Sequence, residues 1–214
     1  MKLKSDTISG LLKILLSALV VLQTADLLST IVYSAGADFF SDKLYPVYEF
    51  IGVALTVLYY IVLVLYLVWL YRVHMDLNRL FPRYPRTPGG ALACTIVPFY
   101  NLYGIPSIYN MIGTHFQTET ARLRKAGAWV SGMAVPLLIV IMASNGLNRA
   151  IQRADDPSNA LLLATSVVDL ISYLIYLALC RWVSQGLSQV HADSVEVMYE
   201  DQSAAVEETV AQEG

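Results

Sequence analysis

Two carboxylic acids stand in stretches that are otherwise apolar, Asp26 within Ile8–Tyr33 and Asp169 within Ala160–Trp182. An ionisable group at bilayer depth is costly, and marks a functional candidate. Gln23 lies three residues before Asp26 and Thr30 four after it, on one helix face. Around Asp169, Ser166 and Ser172 lie three residues to either side, and Thr165 four before it. Two such stripes facing each other would line a proton or cation path, and two close carboxylates would share a proton through desolvation and repulsion. The same residues also suit interhelical glue, each Asp accepting from a neighbouring hydroxyl. Both roles stay open: glue survives Asp-to-Asn replacement, and a proton path does not.

The elements that would hold these residues follow from composition. Of 214 residues, 56% are hydrophobic and only 14% charged, against about 25% charged in soluble domains; the mean hydropathy is +0.53. A soluble enzyme, a disordered chain and a nucleic-acid binder are poor fits. Apolar runs of about 20 residues cross a bilayer, and Ile8–Tyr33, Val47–Tyr71, Ala126–Ser144 and Ala160–Trp182 qualify or nearly so. All backbone polar groups must be satisfied internally in lipid, so the runs are expected to be helices of one bundle. The expected class is an all-α integral membrane protein of four spans, with the lipid bilayer as its first partner. At about 1.5 Å per residue, Asp26 and Asp169 both lie roughly 12 Å below the outer interface.

The basic start MKLKSDTISGLLK invites a signal peptide, but its apolar stretch exceeds the roughly 7–15 residues of a signal core. A retained first span is expected. Cys94 and Cys180 have no CxxC or His neighbours and read as small buried hydrophobes; no metal site or cofactor is expected.

A fifth apolar run, Gly89–Phe116, is interrupted by Pro98, Asn101, Gly104 and Pro106. Pro98 and Pro106 each remove a backbone donor, which predicts a broken helical hairpin that dips in and returns, enclosed by the spans; the alternative is one kinked span. Asn101 is the best contact candidate there, capping the broken helix or coordinating something small. Lys and Arg mark the cytoplasmic side. With a returning hairpin they divide 11 to 3, and with a crossing one 9 to 5. The returning hairpin is favoured, with both termini in the cytoplasm. After the second span, Leu70, Val73, Leu77, Leu80 and Phe81 recur at helical spacing opposite Arg72, Asp76, Arg79 and Arg83. That pattern predicts an amphipathic helix along the inner interface, ended by Pro82, Pro85 and Pro88.

Trp69-Leu70-Tyr71-Arg72-Val73-His74-Met75-Asp76-Leu77, then Thr87-Pro88-Gly89-Gly90-Ala91, then Val97-Pro98-Phe99-Tyr100-Asn101-Leu102 resembles a bacterial membrane-protein family, domain of unknown function 4328. The resemblance covers roughly residues 8–186, including the exit Arg181-Trp182-Val183-Ser184. Asp76 stands where the family usually has Asn. The resemblance implies a multi-span fold in a bacterial membrane, and no activity.

Other chemistry is sparse. His74 and His115 bracket the cytoplasmic face, where interfacial hydrogen bonding is expected rather than haem or metal binding. The 14 tyrosines gather at span ends and in the hairpin, as amphipathic packing requires. There is no G-x-S-x-G, H-E-x-x-H, P-loop or G-x-G-x-x-G, and no His is placed to activate Ser131. The leading expectation is therefore a non-enzymatic small subunit or scaffold of the bacterial inner membrane, packing against other membrane proteins or its own copies. The runner-up is a small transporter or channel-like protein using Asp26 and Asp169. Residues 1–186 form the membrane domain. Beyond Arg181 there is no Lys or Arg but seven acidic residues, so 187–214 is expected to be a solvated, disordered tail on a basic membrane body.

Overall fold

The structure, a computed structural model, describes residues 3–36, 45–81, 83–97, 100–119 and 123–213, with 119 and 196–213 as backbone only. Among them lie seven helices and no strand: α1 (Asp6–Ala35), α2 (Tyr45–Leu80), α3 (Pro88–Ile96), α4 (Tyr100–Glu119), α5 (Arg124–Gly132), α6 (Ala134–Arg153) and α7 (Asn159–Glu213). Four stretches are long and apolar enough to cross a membrane: α1, α2, α5 with α6, and α7 as far as Val195. Hydroxyls within them bond back to their own helix, as Ser17 does to the Lys13 carbonyl (2.8 Å) and Ser29 to that of Ala25 (2.9 Å). Such back-bonding satisfies a polar side chain without water.

Prolines act unevenly. Pro136 has no N–H for the Gly132 carbonyl, and the helix breaks beside it at Met133, separating α5 from α6. Pro106, by contrast, lies inside α4 and does not end it. It removes only the bond to the Leu102 carbonyl, a loss that packed membrane helices tolerate. The interruption of the fifth run falls instead between Ile96 and Tyr100; Pro98 lies outside the described residues. Thr87 caps α3, its Oγ1 accepting from the Gly90 N–H at 3.1 Å with Pro88 in the first turn.

α3 and α4 run antiparallel. Arg86 donates to both Cys94 Sγ and Ser107 Oγ at 3.1 Å, and a Cβ on Gly104 would stand 2.5 Å from the Cys94 carbonyl oxygen. At the open end Tyr84 meets His115 edge-on, ring centroids 5.0 Å apart. The fifth run therefore turns back on itself and is not one kinked helix. α4 then packs on α5 through Gly113 and Gly127, where an added Cβ on either would meet the other's carbonyl oxygen at 2.5 Å. Only glycine lets the two backbones approach so closely.

The core joins Leu12, Leu16 and Leu19 of α1 to Trp69, Leu70, Val73 and Leu77 of α2, Ile108, Ile112 and Phe116 of α4, and Leu179 and Val183 of α7. The apolar positions after the second span face inward as expected. They belong to the last turns of α2, however, and not to a separate interfacial helix. No Gly or Pro occurs between Gly52 and Pro82 to interrupt it. Asp76 also departs from the expected outer face: it is 2% exposed. Its carboxylate accepts the N–H groups of Ser5 (2.8 Å) and Lys4 (3.1 Å) at the start of α1, satisfying donors that a helix leaves open at its N-terminus. Trp69 Nε1 donates to Ser9 Oγ at 2.9 Å beside it. The backbone of α7 stays helical through residues 187–213, where composition predicts an unfolded tail. After Gly186 that stretch has neither Gly nor Pro until Gly214, and it is rich in Ala and Glu, which favour helix.

Candidate functional site

Asp26 reaches from α1 to α7, and Asp169 reaches from α7 to α6. Asp26 Oδ2 accepts from Gln23 Nε2 (3.1 Å), one turn earlier on α1, and from Ser166 Oγ on α7 (2.8 Å). The Gln23 amide also reaches the Ser166 carbonyl at 3.4 Å. One turn beyond Ser166, Asp169 Oδ1 accepts from Ser144 Oγ on α6 (3.2 Å), and Asn148 Nδ2 donates to that serine (3.3 Å). Both carboxylates are half-buried.

They line a single half-open cavity of about 830 Å³. α1 contributes Gln23, Asp26 and Thr30; α6 contributes Ser144, Asn145 and Asn148; α7 contributes Thr165, Ser166, Asp169 and Ser172. The hairpin brings Thr95, Asn101 and Ile105, and tyrosines 48, 59, 60, 66, 173 and 176 line it together with aliphatic side chains such as Leu19, Leu55 and Leu63. Among the described residues, no Lys, Arg or His lines it. At the hairpin end Tyr66 and Tyr109 share a 2.8 Å hydroxyl–hydroxyl hydrogen bond between α2 and α4.

Of the residues picked out from sequence, Gln23, Asp26, Asp169 and Asn101 thus meet in one place. Pro106 is buried in α4 and is not among the lining residues. Thr30, Thr165 and Ser172 line the cavity, but each hydroxyl bonds its own helix, to the carbonyls of Asp26, Leu161 and Val168. The sequence pattern missed Ser144 and Asn148, which the third span places a turn apart at its far end. Their signal was spacing of four beside an apolar run.

A second polar group lies where the hairpin ends meet. His74 is fully buried, its Nδ1 2.9 Å from the Leu70 carbonyl oxygen. Nε2 of His74 and the Tyr84 hydroxyl are buried with no hydrogen-bond partner among the described residues. Burial pushes the Tyr84 phenol above its ordinary value, with Arg86 opposing. His115 Nδ1 sits 3.0 Å from the Met111 carbonyl oxygen. Both thiols, Cys94 and Cys180, are free and buried. Among the described residues no three His, Cys, Asp or Glu side chains are grouped to hold a metal.

Residues 30–185 match the model of a domain of unknown function, DUF4328. The chain belongs to the DUF4328 family. No curated protein and no solved structure matches it. The DUF4328 match includes the walls built by α2, the hairpin, α6 and the membrane part of α7, but begins after Gln23 and Asp26. It also takes in Trp69, which holds Ser9, and Arg72, whose Nη1 donates to the Lys4 carbonyl at 3.1 Å. Part of the family segment around Trp69 therefore secures the start of α1.

Proposed function

We propose that this DUF4328 protein is a non-enzymatic, multi-pass protein of the bacterial cytoplasmic membrane that admits a proton or cation to Asp26 and Asp169, as a small transporter or channel-like protein. One observation carries the proposal: both carboxylates line one cavity that has no positive side chain among its described lining residues. Interhelical glue needs a hydrogen bond and no space around it, and helix interiors otherwise fill to crystal-like density. An open acidic recess attracts cations by focusing the field of its carboxylates between low-dielectric walls.

The 11 to 3 division of Lys and Arg puts both termini in the cytoplasm, and the contact of Tyr84 with His115 supports the returning hairpin that this division assumes. The cavity then opens in the outer half of the bundle. Tyr66 and Tyr109 stand at its inner end, and passage further inward requires the hairpin to part from α2, a gating motion. The subunit or scaffold role is the weaker reading. Exposed apolar side chains occur on every span, for example Ile14, Phe50, Ile139 and Ile171, as lipid contact alone requires.

Purified protein in sealed liposomes tests the proposal. A proton or cation gradient should drive flux in the wild type, falling at least tenfold in Asp169→Asn. Flux equal to empty liposomes under gradients of proton, sodium, potassium and organic ammonium would reject it.

A further inference from the structure

The size and lining of the cavity specify the cation more narrowly. A bare metal ion is held by a close shell of ligands, six to eight oxygens at about 2.3–2.6 Å for calcium and six at about 2.0–2.1 Å for magnesium, and a proton needs no cavity at all. A space of about 830 Å³ falls in the range of roughly 300–1,000 Å³ typical of small organic ligands. Six tyrosines are among the residues that line it. Tyr59 and Tyr60 stand edge to face with centroids 5.5 Å apart and planes at 70°, and Tyr66 and Tyr176 repeat the arrangement at 5.5 Å and 73°. Rings set at steep angles present π faces in more than one direction. Carboxylates beside such faces suit a cation too large and too weakly hydrated for a shell of oxygens.

We infer that the cavity binds an organic ammonium group, its charge held by Asp26 and Asp169 and its alkyl substituents by the tyrosine faces. This inference rests on the proposed cation function and assigns its substrate class. An ammonium group can arrive as a free amine or on a lipid headgroup, since the cavity is half open within the bundle.

The test uses the full chain in nanodiscs of phosphatidylglycerol, which carries no ammonium, with tetramethylammonium titrated by calorimetry. Saturable binding is expected, persisting in tenfold excess sodium, about tenfold weaker in Tyr59→Leu, retained in Tyr59→Phe and lost in Asp169→Asn. Adding phosphatidylethanolamine should raise the apparent Kd if headgroups occupy the site, and leave it unchanged if free amines do. Displacement by equimolar sodium would overturn the ammonium assignment while leaving the cation function standing. No binding of tetramethylammonium, with sodium or proton flux still dependent on Asp169, would do the same. Absence of binding together with absence of all flux would overturn both.

Discussion

Ser166 on α7 donates a 2.8 Å hydrogen bond to Oδ2 of Asp26 on α1. Asp169 follows one turn after Ser166 on α7, and both carboxylates line the same cavity. The bond holds the helices together and also orients Asp26 within the cavity. Those two consequences can be separated.

Ser166→Ala removes the donor and leaves both acids. Interhelical hydrogen bonds in membranes average about 0.6 kcal/mol and reach about 1.7, so thermal unfolding in detergent should shift within that range while cation flux persists. Asp26→Asn keeps an acceptor oxygen for Ser166 but removes the charge. It should unfold at nearly the wild-type temperature and lose flux at least tenfold. Equal loss of flux in both variants would mark Asp26 as structural.

Asp76 anchors the first helix from the far end of the second. Asp76→Ala strips the N–H groups of Lys4 and Ser5 of their acceptor, and loss of a helix cap costs about 0.5–2 kcal/mol. Asp76→Asn keeps one acceptor oxygen and should cost less. Guanidinium or heat unfolding monitored by Trp fluorescence orders the three proteins, since Trp69 packs beside the same contact.

Gly113→Ala places a methyl against the Gly127 carbonyl oxygen and the Ser131 N–H, both rigid backbone. The α4–α5 contact must open, a cost of about 1–3 kcal/mol for overpacking, and size-exclusion profiles should show less folded protein. Gly10→Ala meets nothing within 4 Å and should be neutral or slightly stabilising by helix propensity.

Tyr84 carries a buried hydroxyl with no hydrogen-bond partner among the described residues. Tyr84→Phe removes that group and should stabilise the protein by about 1 kcal/mol at neutral pH. The sign with pH follows from the raised phenol. The folded chain keeps this proton above pH 10.0, the ordinary tyrosine value, while the unfolded chain releases it. The stability from this preference is complete below that pH and is lost as pH rises toward the higher folded value. Alkaline titration should therefore show a shallower loss in Tyr84→Phe.

Much of the bundle was legible because apolar length alone locates membrane helices, and depth and spacing drew attention to Asp26 and Asp169, which both line the cavity. Ser166 was visible for the same reason, one turn from Asp169. Thr165 and Ser172 line the cavity, and each hydroxyl bonds a carbonyl four residues back on its own helix. Ser144 was hidden at the edge of an apolar run. Asp76 could not be read locally: amphipathic spacing sends it outward, and its partner Ser5 lies 71 residues away. Pro106 failed as a break signal because one missing N–H does not outweigh the packing of Ile105, Ile108 and Tyr109, all buried around it.

The central claim, that Asp26 and Asp169 share one water-reached acidic cavity, is tested most directly at Thr165. It lines the cavity, and its hydroxyl bonds the Leu161 carbonyl and neither acid, so Thr165→Cys leaves both acids' hydrogen bonds in place; the native thiols are buried. Trimethylammonium-ethyl and sulfonatoethyl methanethiosulfonates then report access and charge in liposome-embedded protein. The account predicts labelling at Cys-substituted Thr165, at least tenfold faster with the cationic reagent, with the preference lost in Asp26→Asn/Asp169→Asn and no labelling of Ile139→Cys on the exposed apolar surface. No reaction at position 165, or equal rates with both reagents, would contradict it.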